Sequence, residues 1–224
     1  MRLRTLFPVG IVLFALTAAP SDADLINVTG ATTLLAAPPP DVRVNVGLES
    51  NTQGFLFMEA SGLVLSASDG AEITQPGAYG LPLTPGIVGP AVVDVCYFHF
   101  DPVGIIGSSI TGSFTFDSDI GGLIVTEGGL ASSNDINPLT IYSSAGMGLE
   151  LAAGSGDLVV LSADRRTIFY ALGANVAADG FRVGVMEAPE PSTILLLGAG
   201  VLECVRRRRR GRALRVAPPE RVPD

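Results

Sequence analysis

Apolar residues in the middle of the chain recur with a period of two. "VRVNVGL" sets Val42, Val44, Val46 and Leu48 on one face and Arg43 and Asn45 on the other. "ITGSFTFD" sets Ile110, Phe114 and Phe116 against Thr111, Ser113 and Thr115, and "FRVGV" repeats the pattern with Phe181, Val183 and Val185. A strand with one face buried requires this alternation. "AVVDVCYFHF" is apolar on both faces and reads as a central strand. "DLVVLSADRRTIFYAL" predicts a hairpin, with strands over 158–161 and 167–172 and a loop over 162–166. Clusters rich in Gly, Pro, Asn and Asp ("TQPGAYGLPLTPGIVGP", "DPVG", "SSNDINP") separate the runs as turns. No stretch sustains three turns of amphipathic helix, and no unit repeats at a fixed period. The pattern predicts an all-β body, an antiparallel β-sandwich or jelly roll, over residues 24–187.

The two ends follow other rules. "MRLRTLFPVGIVLFALTAAPSDA" reads as a signal peptide over residues 1–23. Arg2 and Arg4 form its basic start, and Leu6 to Ala19 form an apolar run too short to cross the hydrocarbon core comfortably. Cleavage after Ala23 places small residues, Ser21 and Ala23, at the −3 and −1 positions. At the other end stands "EAPEPSTILLLGAGVLECVRRRRRGR". Pro189 and Pro191 hold the chain extended on their upstream side, and Ser192 or Thr193 can cap a helix that starts just after them. Ile194, Leu195, Leu196, Leu197, Val201 and Leu202 supply an apolar segment, interrupted by Glu203. Arg206, Arg207, Arg208, Arg209 and Arg210 then hold the far end on the cytoplasmic face. Together these parts predict a short transmembrane helix, inserted with the body outside.

This order of parts resembles the PEP-CTERM sorting signal of Gram-negative bacteria. The resemblance rests on Pro189-Glu190-Pro191, the apolar "STILLLGAGVLECV" and the cluster Arg206 to Arg210, within residues 188–212. It implies export through the Sec translocon and anchoring in the inner membrane. It also implies processing at or near the Pro-Glu-Pro by an exosortase, a membrane-embedded cysteine protease-transpeptidase. The product would be released to the cell surface or an extracellular polymer matrix. Two features depart from the family's pattern. Glu203 and Cys204 stand where Gly, Leu or Ala is usual, and residues 213–224, expected to be a disordered tail, continue past the arginines.

Charge sharpens the division. Residues 26–187 hold 16 acids against 4 arginines, whereas residues 188–224 hold 8 arginines against 4 acids, and the chain contains no lysine. An acidic body is a poor partner for nucleic acid, whose phosphates need a basic face. Cys96 and Cys204 are too few for a disulfide framework, and Cys96 reads as a small buried hydrophobe.

Candidate chemistry in the body is thin. His99 is the single histidine, with Asp101 two residues on. No Gly-x-Ser-x-Gly elbow accompanies it, so it reads as a structural histidine hydrogen-bonded to a neighbouring strand or loop rather than part of a hydrolase triad. Only Cys96 lies near it as a second zinc ligand type. Asp117 and Asp119 offer oxygen ligands of the kind calcium takes, but lack the rest of a binding loop and read as solvated turn residues; Asp94, Asp101 and Asp135 share that ambiguity. A sugar platform would have to draw on Tyr79, Tyr97, Tyr142 and Tyr170, since Trp is absent and the phenylalanines read as core. "NVT" at Asn27 fits the glycosylation acceptor pattern, which is usually silent in bacteria. The expectation is an exported, non-catalytic structural or adhesive protein with no cofactor and no metal. A carbohydrate-binding module in an exopolysaccharide is the alternative, and a secreted hydrolase the second alternative.

Overall fold

The computed structural model describes residues 24–79, 83–104, 107–143, 146–152, 155–174 and 177–187. The expected signal peptide, the Pro-Glu-Pro motif, the apolar segment and the arginine cluster lie outside the described residues.

Twelve strands are found among them. They are β1 (Leu25–Gly30), β2 (Thr32–Leu34), β3 (Gly54–Leu65), β4 (Gly70–Ala71), β5 (Gly77–Tyr79) and β6 (Gly86–Ile87), followed by β7 (Ala91–Phe100), β8 (Ser108–Phe116), β9 (Ile120–Ile124), β10 (Leu158–Leu161), β11 (Thr167–Ala174) and β12 (Asp179–Met186). A short helix α1 (Glu127–Ser132) and a 3-10 turn (Asn134–Ile136) follow β9. One five-stranded sheet runs β1-β8-β11-β10-β5; the other runs β2-β3-β7-β12-β9. All pairings within the first sheet are antiparallel, and in the second only β2 and β3 run parallel. β4 and β6 form a small separate ribbon.

The two sheets share one apolar core. Phe98 of β7 and Phe181 of β12 meet Phe114 of β8 and Tyr170 of β11, with ring centroids 4.7 to 5.9 Å apart. Each fully buried aromatic is worth roughly 1.5–3 kcal/mol of transfer free energy, so this cluster does much to hold the sheets together. Position 112 explains a gap in the apolar row of β8. A Cβ on Gly112 would stand 2.4 Å from the Tyr170 hydroxyl and 2.6 Å from the Thr29 carbonyl oxygen. That hydroxyl hydrogen-bonds Thr32 Oγ1 at 2.5 Å, which satisfies a buried polar group.

The sheets differ in what covers their outer faces. The first carries polar pairs outward, Thr29 with Ser113 and Thr115 with Thr167, as a half-wetted sheet does. The second is covered by a layer of loops and α1. Val42, Leu130, Met147 and Ala178 there form a second cluster with Phe57 and Tyr97 of the sheet. β7 is therefore buried on both faces, which is why its sequence is apolar throughout.

The strand predicted over 158–161 and the central strand "AVVDVCYFHF" coincide with β10 and β7, while the strand predicted over 167–172 runs on to Ala174 as β11. "VRVNVGL" is not a strand. Asn45 (φ 59°) and Gly47 (φ 79°) take left-handed conformations, and this segment packs Val42, Val44 and Leu48 onto the second sheet as part of its covering layer. The turn-rich run 74–90 also contains β5 and β6. Cys96 carries a free, buried thiol whose Sγ lies 3.8 Å from Met58 Sδ, and burial pushes its pKa up to about 12. Phe169, by contrast with the expected core role, is 49% exposed.

Candidate functional site

Alternation along β12 assigns its odd positions to the inter-sheet core: Phe181, Val183 and Val185 are all in it. One step back along the same row stands Asp179, the first residue of the strand. It is 0% exposed, and among the described residues neither of its carboxylate oxygens has a hydrogen-bond partner. A buried polar group without a partner is costly, and a buried carboxylate more so.

The row places Asp179 at the end of the body where the second sheet meets the start of β10. Asp157 immediately precedes β10 and is only 9% exposed. Its Oδ1 accepts the Gly173 N–H of β11 at 2.9 Å and its Oδ2 accepts the Glu150 N–H at 2.8 Å. These two bonds orient Asp157 and bring the chain at Glu150 to the same place. Leu149 and Leu151 anchor that segment by sinking into the core on either side, which leaves Glu150 turned toward solvent. Ser155 ties the intervening loop, its hydroxyl donating to the Glu150 carbonyl. Glu150, Asp157 and Asp179 each present an oxygen within 4.8 Å of the others'. None of the three takes part in an ion pair among the described residues.

The electrostatics follow. Burial, then the Asp157 and Glu150 charges, push the Asp179 pKa up to about 8. Burial also raises Asp157, against the two backbone N–H groups, and raises Glu150 with help from Asp157. Three acids converge with no ion-pair partner among the described residues, so the cluster favours a proton or a bound cation.

A second buried charge lies on the opposite face of the same sheet, and it is fully paired. Arg182 of β12 donates from Nε to Glu59 Oε2 at 2.8 Å and from Nη2 to Glu59 Oε1 at 2.9 Å. Nη1 donates to the Leu130 carbonyl at the end of α1 and to Ser133 Oγ, both at 2.8 Å. Its guanidinium lies over the rings of Tyr97 and Tyr142, 5.1 and 4.8 Å from their centroids, and Tyr142 also donates to Glu59. This constellation fastens the covering layer to the sheet. An apolar cleft beside it, walled by Leu63, Val88, Val95 and Ile124, has Arg182 as the one charged side chain lining it among the described residues.

The residues singled out from the sequence do not converge. His99 is fully buried, but neither ring nitrogen has a hydrogen-bond partner among the described residues. The expected bond to a neighbouring strand or loop is not found among these residues; the ring packs near Tyr97. Burial lowers its pKa to about 4, so it stays neutral at ordinary pH. Asp101 is spent on the Asn45 N–H, and Asp94 accepts the Gly62 N–H. Asp117 accepts the Asp24 N–H, Asp119 pairs with Arg166, and Asp135 is exposed. Tyr97 and Tyr170 are buried, Tyr142 is held by Glu59, and Tyr79 donates to the Gln75 carbonyl. These four do not make an exposed aromatic platform.

The acidic cluster escaped detection because its members come from a loop, the start of β10 and the start of β12, and meet only when the two sheets pack face to face. One signal was available: extending the "FRVGV" alternation one step back puts an aspartate in an apolar row. No helix among the described residues is long and apolar enough to cross a membrane. Compared with known proteins, the chain matches no family model, no curated protein and no solved structure.

Proposed function

We propose that the chain is an exported protein, sorted by its C-terminal signal to the cell surface or extracellular matrix, where its β body has a structural or adhesive role. The observation that carries this reading is the tripartite order of Pro189-Glu190-Pro191, the apolar segment from Ile194, and Arg206 to Arg210. A basic cluster behind an apolar segment sits on the cytoplasmic side of a membrane, which puts the acidic body on the other. An exosortase cuts at or near the Pro-Glu-Pro and detaches the body from its anchor. The body is read as a β-sandwich or jelly roll. Its two packed sheets and its tightly hydrogen-bonded covering layer support a passive, durable role outside the cell.

Expression in a Gram-negative host that has an exosortase tests the reading. The natural chain is expected on the surface or in the medium. Joint substitution of Pro189→Ala, Glu190→Ala and Pro191→Ala is expected to leave the protein in the inner-membrane fraction. Identical distribution of the two chains, or recovery of both from the cytosol, contradicts it.

A further inference from the structure

We propose that Glu150, Asp157 and Asp179 form a binding site for a hard divalent cation, calcium in preference to magnesium, which ties the end of one sheet to the end of the other. Asp157 leads into β10 of the first sheet and Asp179 begins β12 of the second. A cation held between them cross-links the two layers at a point where no β-ladder does.

Two independent observations carry the site. The first is convergence: three carboxylates from three segments bring oxygens within 4.8 Å of one another. The second is Asp179 itself, fully buried, with both oxygens lacking a donor among the described residues, and aimed into the cluster. Elsewhere in the body a buried acid is given its donors. Glu59 has Arg182 and Tyr142, Asp94 has the Gly62 N–H, and Asp101 has the Asn45 N–H. Among the described buried acids Asp179 is the exception, and it faces two further carboxylates.

The donor set selects the class of ion. All three ligands are carboxylate oxygens, which suit a hard cation; a transition metal would draw on nitrogen or sulfur. Calcium takes 6–8 oxygens in a flexible geometry, and three carboxylates offer up to six. Magnesium demands a stricter octahedron and keeps several of its waters, for which the buried Asp179 side of the cluster is poorly suited. Glu150, on the solvent side, gives the ion its way in. Asp157 is already oriented by two backbone N–H donors, so little ordering remains to be done on binding.

The test uses the full-length chain, stripped with a chelator and returned to metal-free buffer at pH 7.5. Thermal unfolding is followed as calcium chloride or magnesium chloride is added. Calcium is expected to raise Tm saturably, by roughly 5–10 °C at about a hundredfold excess over its Kd, with a smaller rise for magnesium. Asp179→Asn is expected to abolish the response, and Glu150→Gln, at an exposed position, to weaken calcium binding at least about tenfold. If Asp179→Asn does not fold, Glu150→Gln decides. The proposal is overturned if calcium up to about 10 mM, the weak end of known sites, leaves Tm unchanged. It is overturned equally if the response survives in the variants undiminished.

Discussion

Glu59 and Asp179 are both shut away from water on strands of the same sheet, one on its outer face and one on its inner. Glu59 faces a bidentate arginine, a tyrosine hydroxyl and two aromatic rings. Asp179 faces two more acids and no donor among the described residues. The first arrangement is complete as it stands: desolvation of the pair is offset by Coulomb attraction and by hydrogen bonds that use up the guanidinium. The second is complete only when something positive joins it. The contrast separates a charge that the fold uses as a fastener from one that it holds ready for an ion.

One of the two largest effects that test this contrast is on the fastener. Arg182→Met leaves Glu59 buried and unpaired and is expected to cost about 3–5 kcal/mol in urea unfolding. Adding Glu59→Gln to that variant is expected to recover a good part of the loss, because the uncompensated charge is gone. A double variant as unstable as the sum of both singles would show that the pair is not a unit.

The other, comparable in size, is the pH dependence of the second site. The Asp179 pKa rises from 3.8 in the unfolded chain to about 8 in the folded one, so the folded state binds the extra proton between those values. Stability in metal-free buffer therefore falls as pH climbs from about 4 to about 8, by up to about 1.4 kcal/mol per pH unit. The cost is absent below that window and fully present above it. Asp157 and Glu150 face Asp179 and add to the same trend, with Glu127 acting on Glu150. Asp179→Asn is expected to flatten the profile, and parallel profiles for the two chains would contradict the assignment.

The smallest effect sets the floor. Arg166 and Asp119 form an ion pair whose side chains are 50% and 57% exposed. Arg166→Met is expected to change stability by less than about 1 kcal/mol. A loss comparable to that of Arg182→Met would mean that burial is not what distinguishes these pairs.

Much of the fold was legible in the sequence wherever one physical constraint acted alone. β10 and β11 alternate around a polar loop, and β7 is apolar because both its faces are covered. Legibility failed where two constraints overlapped. Val42 to Leu48 alternates because a covering loop also has an inside and an outside, and period two does not tell such a loop from a strand. β3 hides its length behind bulges near Met58, Ala60 and Leu63, which break the alternation. Arg182 reads as the outward residue of "FRVGV", yet it is 1% exposed, because the covering layer closes over it. The acidic cluster gathers residues 150, 157 and 179 through the packing of one sheet on the other, which no local pattern records. The sorting signal is the reverse case: its parts are contiguous, and their order alone carries the reading.

The central claim, export followed by cutting at the sorting signal, is tested most directly by intact-mass and terminal-peptide mass spectrometry of the mature protein from its native host. The account predicts a chain that begins after Ala23 and ends near Pro189 to Pro191, with Arg206 to Arg210 removed. Recovery of the intact chain from the cytosol, with Met1 and Arg210 both present, would contradict it.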